Sequence, residues 1–476
     1  MEPAKSRDSD VFDYDLIVIG SGPAGHRGAV QAARLRKRVA LVERGEMVGG
    51  LCVNTGTIPS KTMREALMYL SGYRERLTYG ISYTVKQKIT MKDLMFRVGP
   101  VVRHEIDVIR HQLLRNGVEV LSAEASFLDP HTLELRYSDG HNRGQITAEK
   151  ILIATGSEAS RDPHIPFDGT HIFSSDDILT LDELPRTLAV VGAGVIGCEY
   201  ASMFAALGVK VTLIDKRTRL LPFVDGEIVE ALMYHLRENR VTLRLGEEVS
   251  TIKLNSDGRP QPVELGLASG KHIIADKALY SVGRAGAVGR LNLEGAGILA
   301  DDKGRIEVNK VYQTNVPHVY AAGDVIGFPS LAATSMEQGR VAIAHAFQNE
   351  TANSMEFFPY GIYTVPEVSF AGRTEEELTA ANIPYEVGKA RYREIARGQI
   401  MGDDIGMLKL LFHSDTRELL GVHIIGEGAC ELVHVGCAVL SFGGKLDYFL
   451  GAVFNFPTLG QCYKIAALDG MSRLGH

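Results

Sequence analysis

Two glycine-rich turns constrain this chain more than any other feature. Each is entered from an aliphatic run and followed by a helical stretch and a second aliphatic run that ends on an acid. The first run, Asp15-Leu-Ile-Val-Ile19, has the unbroken apolar character of a parallel strand buried on both faces. It feeds Gly20-Ser-Gly-Pro-Ala-Gly25, a helical stretch at 26–36, and a strand at 39–42 closed by Glu43. The pattern recurs with an aliphatic run at 188–191, Gly192-Ala-Gly-Val-Ile-Gly197, a helical stretch at 198–207, and a strand at 209–214 closed by Asp215. Each is a βαβ unit of the dinucleotide-binding kind. The first glycine permits the tight turn, the second admits a pyrophosphate to the backbone, and the third lets helix and strand pack closely. The helix N-terminus then offers unpaired N–H groups and the positive end of its dipole to the phosphates. A lone Gly-rich turn can serve packing alone. Strand, glycines, helix and terminal acid in order, twice over, predict two nucleotide-binding domains.

The strand-end acids carry different messages. Glu43 is placed to accept hydrogen bonds from an adenosine ribose. Asp215 would favour the free 2′-hydroxyl of NAD, yet Lys216, Arg217 and Arg219 follow at once, and guanidinium groups suit the 2′-phosphate of NADP. The three cations also read as a solvated basic turn. Acid and bases together point to a site that tolerates both nucleotides.

At 476 residues the chain is long enough for several domains, with a net charge of −7 that gives no reason to expect nucleic acid or a membrane as partner. Its five cysteines are too few and too scattered for a disulfide framework or a metal site, which favours a reducing cytoplasm. Neither a signal peptide nor a membrane-spanning run is visible. An amphipathic stretch at 91–115 repeats apolar residues at near-helical spacing, and Pro100 should bend it or mark its boundary. The predicted organisation is α/β: a flexible tail at 1–12, one three-layer Rossmann-like domain at 13–156 and 285–349, a second at 157–284, and a C-terminal α+β domain at 350–476. In the last, strand-like runs at 409–412 and 421–425 alternate with a helical one at 429–441.

Beyond the fingerprints, the segment Gly49-Gly-Leu-Cys-Val-Asn-Thr-Gly-Thr-Ile-Pro-Ser-Lys61, with Glu199 and the stretch from Thr314 to Asp324, resembles the pyridine nucleotide-disulfide oxidoreductases over nearly the whole chain. The resemblance implies that the first domain binds FAD through Gly20, Gly22, Gly25 and Glu43, with Cys52, Lys61, Gly156, Gly323 and Asp324 completing the site. Asp324 would contact the ribitol. The second domain would bind NAD or NADP through Gly192, Gly194, Gly197, Asp215, Arg217 and Gly283. Lys61 would lie by the flavin ring, paired with Glu199, and the C-terminal domain would make a homodimer or a higher homo-oligomer.

Two departures separate this chain from the disulfide reductases of that family. Those carry Cys-x4-Cys, and here the second position is Thr57, whose hydroxyl forms neither a disulfide nor a thiolate. They also carry His before Pro-Thr and Glu five residues on. Here the sequence reads Phe456-Pro-Thr-Leu-Gly-Gln461, which supplies no acid–base pair. Both halves of the dithiol machinery are missing together. The combination resembles the soluble, non-energy-linked pyridine nucleotide transhydrogenases of the family, as do the segments 361–367 and 384–388. It implies a ping-pong cycle in which NADPH reduces the flavin at N5 and leaves, and NAD takes the hydride from the same site. Lys61, Glu199 and Thr57 are the expected catalytic residues, and no metal is expected. An NAD(P)H oxidase or diaphorase using oxygen or quinone, and a non-catalytic flavin-binding sensor, are the rival readings.

Overall fold

The computed structural model describes residues 12–80, 82–137, 143–255, 261–348 and 357–474. The expected tail, but for Phe12, and the expected domain boundary at 349–350 lie outside them. The described residues divide into two compact units: those within Met1–Thr62, Phe96–Ser160 and Gly283–Ser354, and those within Met63–Met95, Arg161–Val282 and Met355–His476.

In the first unit the strand Tyr14–Ile19 pairs in parallel with Val39–Glu43 on one side and Arg143–Ile153 on the other. Glu119–Asp129 and Val319–Ala321 extend the parallel sheet at its two ends. Side chains alternate along the central strand. Leu16 and Val18 enter a core with Ala29 and Val30 of the helix Pro23–Arg34 and Ile343 of the helix Ala332–Gln348. Ile17 and Ile19 enter an opposite core with Phe127, Leu133 and Leu135. Both faces are therefore buried, which is what the unbroken aliphatic run requires. The second covering layer is an antiparallel meander, because Glu119–Asp129, Thr132–Tyr137 and Arg143–Ile153 pair successively. The antiparallel strands Ser157–Ala159 and Arg284–Gly286 mark where the chain leaves this unit and re-enters it.

The amphipathic stretch is two helices, Met91–Phe96 and Val98–Arg115, and not one bent at Pro100. Pro100 falls within the first turn of the second helix, where the missing N–H has no intrahelical partner to lose. The break comes earlier, at Arg97.

The second unit holds two five-stranded sheets and a smaller three-stranded one. One is parallel throughout, in the order Thr242–Leu245, Lys210–Asp215, Thr187–Val191, Lys277–Tyr280, Ile172–Ser174. A three-stranded antiparallel layer, Val249–Leu254, Val263–Leu267 and His272–Ala275, shares its core through Ile252, Leu265 and Ala278. The other sheet is antiparallel, in the order Tyr360–Ile362, Val368–Gly372, Leu419–Ile425, Met407–His413, Tyr385–Arg391. The helices Ala429–Ser441 and Gln461–Arg473 pack on it through Val433, Ala466 and Ala467. A buried ion cluster joins the two parts. Lys409, on the antiparallel sheet, pairs with Asp225 at 2.8 Å and Glu227 at 3.2 Å, at the start of the helix Gly226–Glu238, and with Glu375.

Candidate functional site

The first fingerprint has the geometry that its glycines predict. Gly20 has φ +99°, and a Cβ there would lie 2.5 Å from the Ala154 carbonyl oxygen. A Cβ on Gly25 would run into the Gly20 carbonyl, whereas one on Gly22 would meet nothing within 4 Å. Gly22 caps the helix Pro23–Arg34 without a side-chain bond, which leaves the helix end open to an anion. Other glycines bring distant segments to this edge. A Cβ on Gly50 would lie 2.9 Å from Gly22 Cα, and one on Gly323 would lie 3.2 Å from Ala24 Cβ. Gly323 is held there by its amide, which donates to Gln338 at 2.9 Å. Gly156, at φ +72°, likewise leaves open space beside its backbone.

Glu43 closes its strand in a tightly bonded state. Oε2 accepts the Ser21 amide at 2.9 Å and the Ser21 hydroxyl at 2.5 Å, and Oε1 accepts the Gly45 amide at 3.0 Å. Ser21 Oγ in turn accepts the Gly49 amide at 2.9 Å. The acid thus staples the fingerprint to the segment carrying Cys52, a part that the sequence does not reveal.

Cys52 lies on the short helix Gly50–Asn54, and Thr57 opens the helix Thr57–Ser71, which carries Lys61. Burial pushes the Cys52 thiol up, against a hydrogen bond with Thr57; Asp324 pushes it further up, and Lys61 opposes. These four residues share one neighbourhood. Asp324, also raised by burial, accepts the Ser157 hydroxyl at 3.1 Å, and Arg284 anchors Ser157 through Oγ at 2.8 Å and the carbonyl at 3.0 Å. Among the described residues, the buried Oγ1 atoms of Thr55 and Thr155 and Oδ1 of Asn54 find no hydrogen-bond partner. A groove edge bare of side chains, an uncapped helix end and orphaned buried polar atoms fit an extended dinucleotide.

In the second unit Gly192 has φ +103°, and a Cβ there would lie 2.9 Å from the Ser281 carbonyl oxygen. A Cβ on Gly197 would run into the Gly192 carbonyl, and Gly194 is open and uncapped at the start of the helix Val195–Ala206. The two turns are built alike. Ser281, unmarked in the sequence, donates to the Val191 and Gly192 carbonyls at 2.9 and 3.1 Å. Asp215 is buried and ion-paired with Arg217 at 2.7 Å. Burial works to raise its carboxyl, and the Arg217 side chain and the Ala193 amide overrule it and hold it below the usual value. Gly283 falls in the first unit, where its carbonyl accepts the Ser160 amide at 3.3 Å.

Glu199 is buried on the second fingerprint helix, and Oε1 accepts the Tyr363 amide at 2.8 Å. One turn on, Ser202 Oγ accepts the Val365 amide at 3.0 Å. Buried Arg64 holds the same loop, donating to the Thr364 carbonyl at 3.2 Å and pairing with Glu367 at 3.2 Å. Sequence periodicity marks neither Arg64 nor Glu367. Phe456 is 73% exposed, and Gln461 opens the last helix. Cys198, Cys430, Cys437 and Cys462 are buried free thiols. Among the described residues no helix is long and apolar enough to cross a membrane.

Comparison with known proteins gives this geometry a family. A soluble pyridine nucleotide transhydrogenase of Mycobacterium tuberculosis is 52% identical over 462 residues, covering 97% of this chain and 98% of that one. The protein of that name from Colwellia psychrerythraea is 42% identical, covering 97% and 99%. Among solved structures, LpdA from Mycobacterium tuberculosis superposes with a TM-score of 0.87 at 25% identity, covering 95% of this chain and 99% of that one. The HOCl-induced flavoprotein disulfide reductase RclA from Escherichia coli gives 0.84 at 28%, covering 96% and 99%. Residues 14–345 match the pyridine nucleotide-disulphide oxidoreductase family, and residues 358–467 match its dimerisation domain. On a match that spans both fingerprints and the C-terminal sheet, the chain belongs to the pyridine nucleotide-disulphide oxidoreductase family.

Proposed function

We propose that this chain is an FAD-dependent transhydrogenase that moves hydride from NADPH to NAD, giving NADP and NADH. The observation that carries the reading is Thr57, five residues after Cys52, in the place of a second cysteine. At the place where a disulfide reductase needs two thiols, a thiol meets a hydroxyl, so electrons have no dithiol exit. Phe456 and Gln461 supply no acid or base at the C-terminal end. The names of the full-length relatives fit this reading.

FAD, when bound, supplies a centre that can take a hydride from one nicotinamide and return it to another. The residues that would hold it are Gly20, Gly22, Gly25, Glu43, Cys52, Gly156, Gly323 and Asp324. Gly22 leaves the helix end free for the pyrophosphate, and Asp324 offers a buried carboxyl to a hydroxyl. Gly192, Gly194, Gly197, Asp215 and Arg217 would hold the nicotinamide nucleotides one at a time, so NADPH must depart before NAD enters. Lys61 and Glu199 would act by electrostatics and orientation and not by proton transfer, because hydride transfer needs no exchangeable proton. On this reading the protein works in the cytoplasm as a homodimer. The exposed side chains of Phe442, Tyr448, Val453 and Phe456 give the C-terminal part an apolar surface suited to a second copy.

Anaerobic stopped-flow mixing of the flavin-loaded protein tests the reading. NADPH should bleach the flavin absorbance, and NAD added afterwards should restore it stoichiometrically, with parallel double-reciprocal lines in the steady state. A long-wavelength thiolate charge-transfer band, turnover of lipoamide or glutathione disulfide, or reoxidation by oxygen but not by NAD would overturn it.

A further inference from the structure

Asp215 ends its strand with both carboxylate oxygens engaged. Oδ2 accepts the Ala193 amide at 2.6 Å and Arg217 Nη2 at 2.7 Å. Oδ1 accepts the Arg217 amide at 2.8 Å and Arg217 Nε at 2.9 Å. A carboxylate has about four acceptor directions, and four donors leave none for a ribose hydroxyl. Two of those donors are backbone amides, Ala193 in the glycine turn and Arg217 on the strand-end segment, and that segment is pinned. The Arg217 carbonyl accepts the Gly246 amide at 3.0 Å, and the Asp215 carbonyl accepts the Glu247 amide at 3.1 Å. The other two donors belong to one guanidinium, whose side chain is 43% exposed over a carboxylate side chain that is 6% exposed. Torsions along the Arg217 side chain can lift it away with no backbone change. The neighbouring cations are held elsewhere: Arg219 donates to Glu376 at 3.0 Å and to the Val224 carbonyl at 2.7 Å, and Lys216 lies 4.0 Å from Glu248.

We propose that the Arg217–Asp215 pair is a latch on the adenosine-ribose end of the second nucleotide site. Either nucleotide must open it, and this lets one site accept both; the inference rests on the transhydrogenase reading for why both must enter. A 2′-hydroxyl needs an acceptor, and it reaches Asp215 only after the guanidinium has moved. A 2′-phosphate needs a cation, and it receives the guanidinium only after Asp215 has released it. Both ligands break the same ion pair, so that loss cancels when their affinities are compared. An acid alone would favour the diol, and an arginine alone would favour the phosphate. The presence of both partners narrows the gap between the two nucleotides, and the common cost of opening the pair keeps either from binding too tightly to leave.

The test is calorimetric titration of the flavin-loaded protein with 5′-AMP and with 2′,5′-ADP, which carry the ribose diol or the phosphate and no nicotinamide. Arg217→Ala unmasks Asp215, and 5′-AMP should bind about 2–5-fold more tightly, the range set by a partly exposed ion pair. The same variant should bind 2′,5′-ADP about tenfold or more weakly, from the lost charged hydrogen bonds. Asp215→Asn keeps an acceptor for the Ala193 amide while it frees the guanidinium, and should show the reverse pattern. Opposite signs for the two ligands in each variant support the latch. Unchanged or weaker 5′-AMP binding in Arg217→Ala overturns it, as does unchanged or weaker 2′,5′-ADP binding in Asp215→Asn. Neither ligand carries hydride, so the latch and the transhydrogenase reading fail separately. Crossed signs with no NADPH-to-NAD transfer would sink the function alone, and transfer without crossed signs would sink the latch alone.

Discussion

Lys409→Met should loosen the junction between the two five-stranded sheets of the second unit by an amount that the ion cluster sets. The Lys409 side chain is fully buried, as is that of Asp225, and its ammonium faces Asp225, Glu227 and Glu375. Asp225 also caps the helix Gly226–Glu238, and Lys389 pairs with Glu227 at 2.7 Å. Methionine matches the lysine stem in length and leaves three carboxylates with Lys389 and the buried His423 for company. Removing one partner of a buried ion cluster costs about 3–5 kcal/mol, because the remaining charges stay out of water. The chain has no tryptophan, so far-ultraviolet circular dichroism in urea is the direct readout. The pH dependence gives the sharper test. Burial opposes both Asp225 and Glu227, but His423 and Lys409 for the first, and Lys389 and Lys409 for the second, hold them below 3.8 and 4.5. A depressed carboxyl contributes stability that is present above its ordinary pKa and is lost as the pH falls through the depressed one. In Lys409→Met burial acts on these carboxyls without the ammonium, and their pKa values move up. The folded variant then takes up protons more readily than the folded parent, and its deficit against the parent should shrink as the pH falls toward the ordinary carboxyl values of 3.8 and 4.5. His423, held low by burial, destabilises both proteins on acidification, so the comparison is the difference between the two curves. A deficit below about 1 kcal/mol, or one that widens as the pH falls, would refute the assignment of Lys409 as the counter-ion.

Two further substitutions separate structural from ligand-facing roles. Gly25→Ala forces a Cβ into the Gly20 carbonyl, and thermal melting should show a loss of about 1–3 kcal/mol or more. Gly22→Ala meets open space and should leave the melting of the apoprotein unchanged while lowering the flavin-to-protein ratio; the reverse ranking would contradict both assignments. Thr57→Cys should close a disulfide with Cys52, so that thiol titration of the unreduced, denatured variant finds one fewer thiol than the parent's five. The variant should still fail to turn over lipoamide for want of an acid at Phe456, and one thiol more than the parent would show that the two side chains do not meet.

The sequence was most legible where one residue type answers one backbone demand. Gly20 and Gly192 occupy positive-φ turns, Gly25 and Gly197 stand where no Cβ fits, and a helix packed on the antiparallel sheet runs over Ala429–Ser441 as its pattern predicts. Groups that acquire meaning only through distant partners were not legible. Asp225 and Lys409 are 184 positions apart and Arg64 and the Thr364 carbonyl 300 apart, and no local period announces a charge that will be buried. The role of the meander of Glu119–Asp129, Thr132–Tyr137 and Arg143–Ile153 as a covering layer depends on which face of the parallel sheet it meets, which no local pattern states.

On the proposed function, the two strand-end acids would let one fold hold one ligand durably and exchange another. Both fingerprints present the same open glycine, the same uncapped helix and the same collision behind the third glycine. They differ in what surrounds the acid. The hydrogen bonds to Glu43 come from the neutral donors of Ser21 and Gly45, which leave its charge uncompensated by them and suited to a ribose diol. Asp215 is held by a guanidinium of opposite charge, so its attraction for a diol is reduced by the ion pair that the diol must displace. A site whose acid is held by neutral donors keeps its full preference for one ribose, as a resident cofactor requires. A site whose acid is already paired gives up affinity for every entrant, as a ping-pong cycle requires of a nucleotide that must leave before its successor arrives.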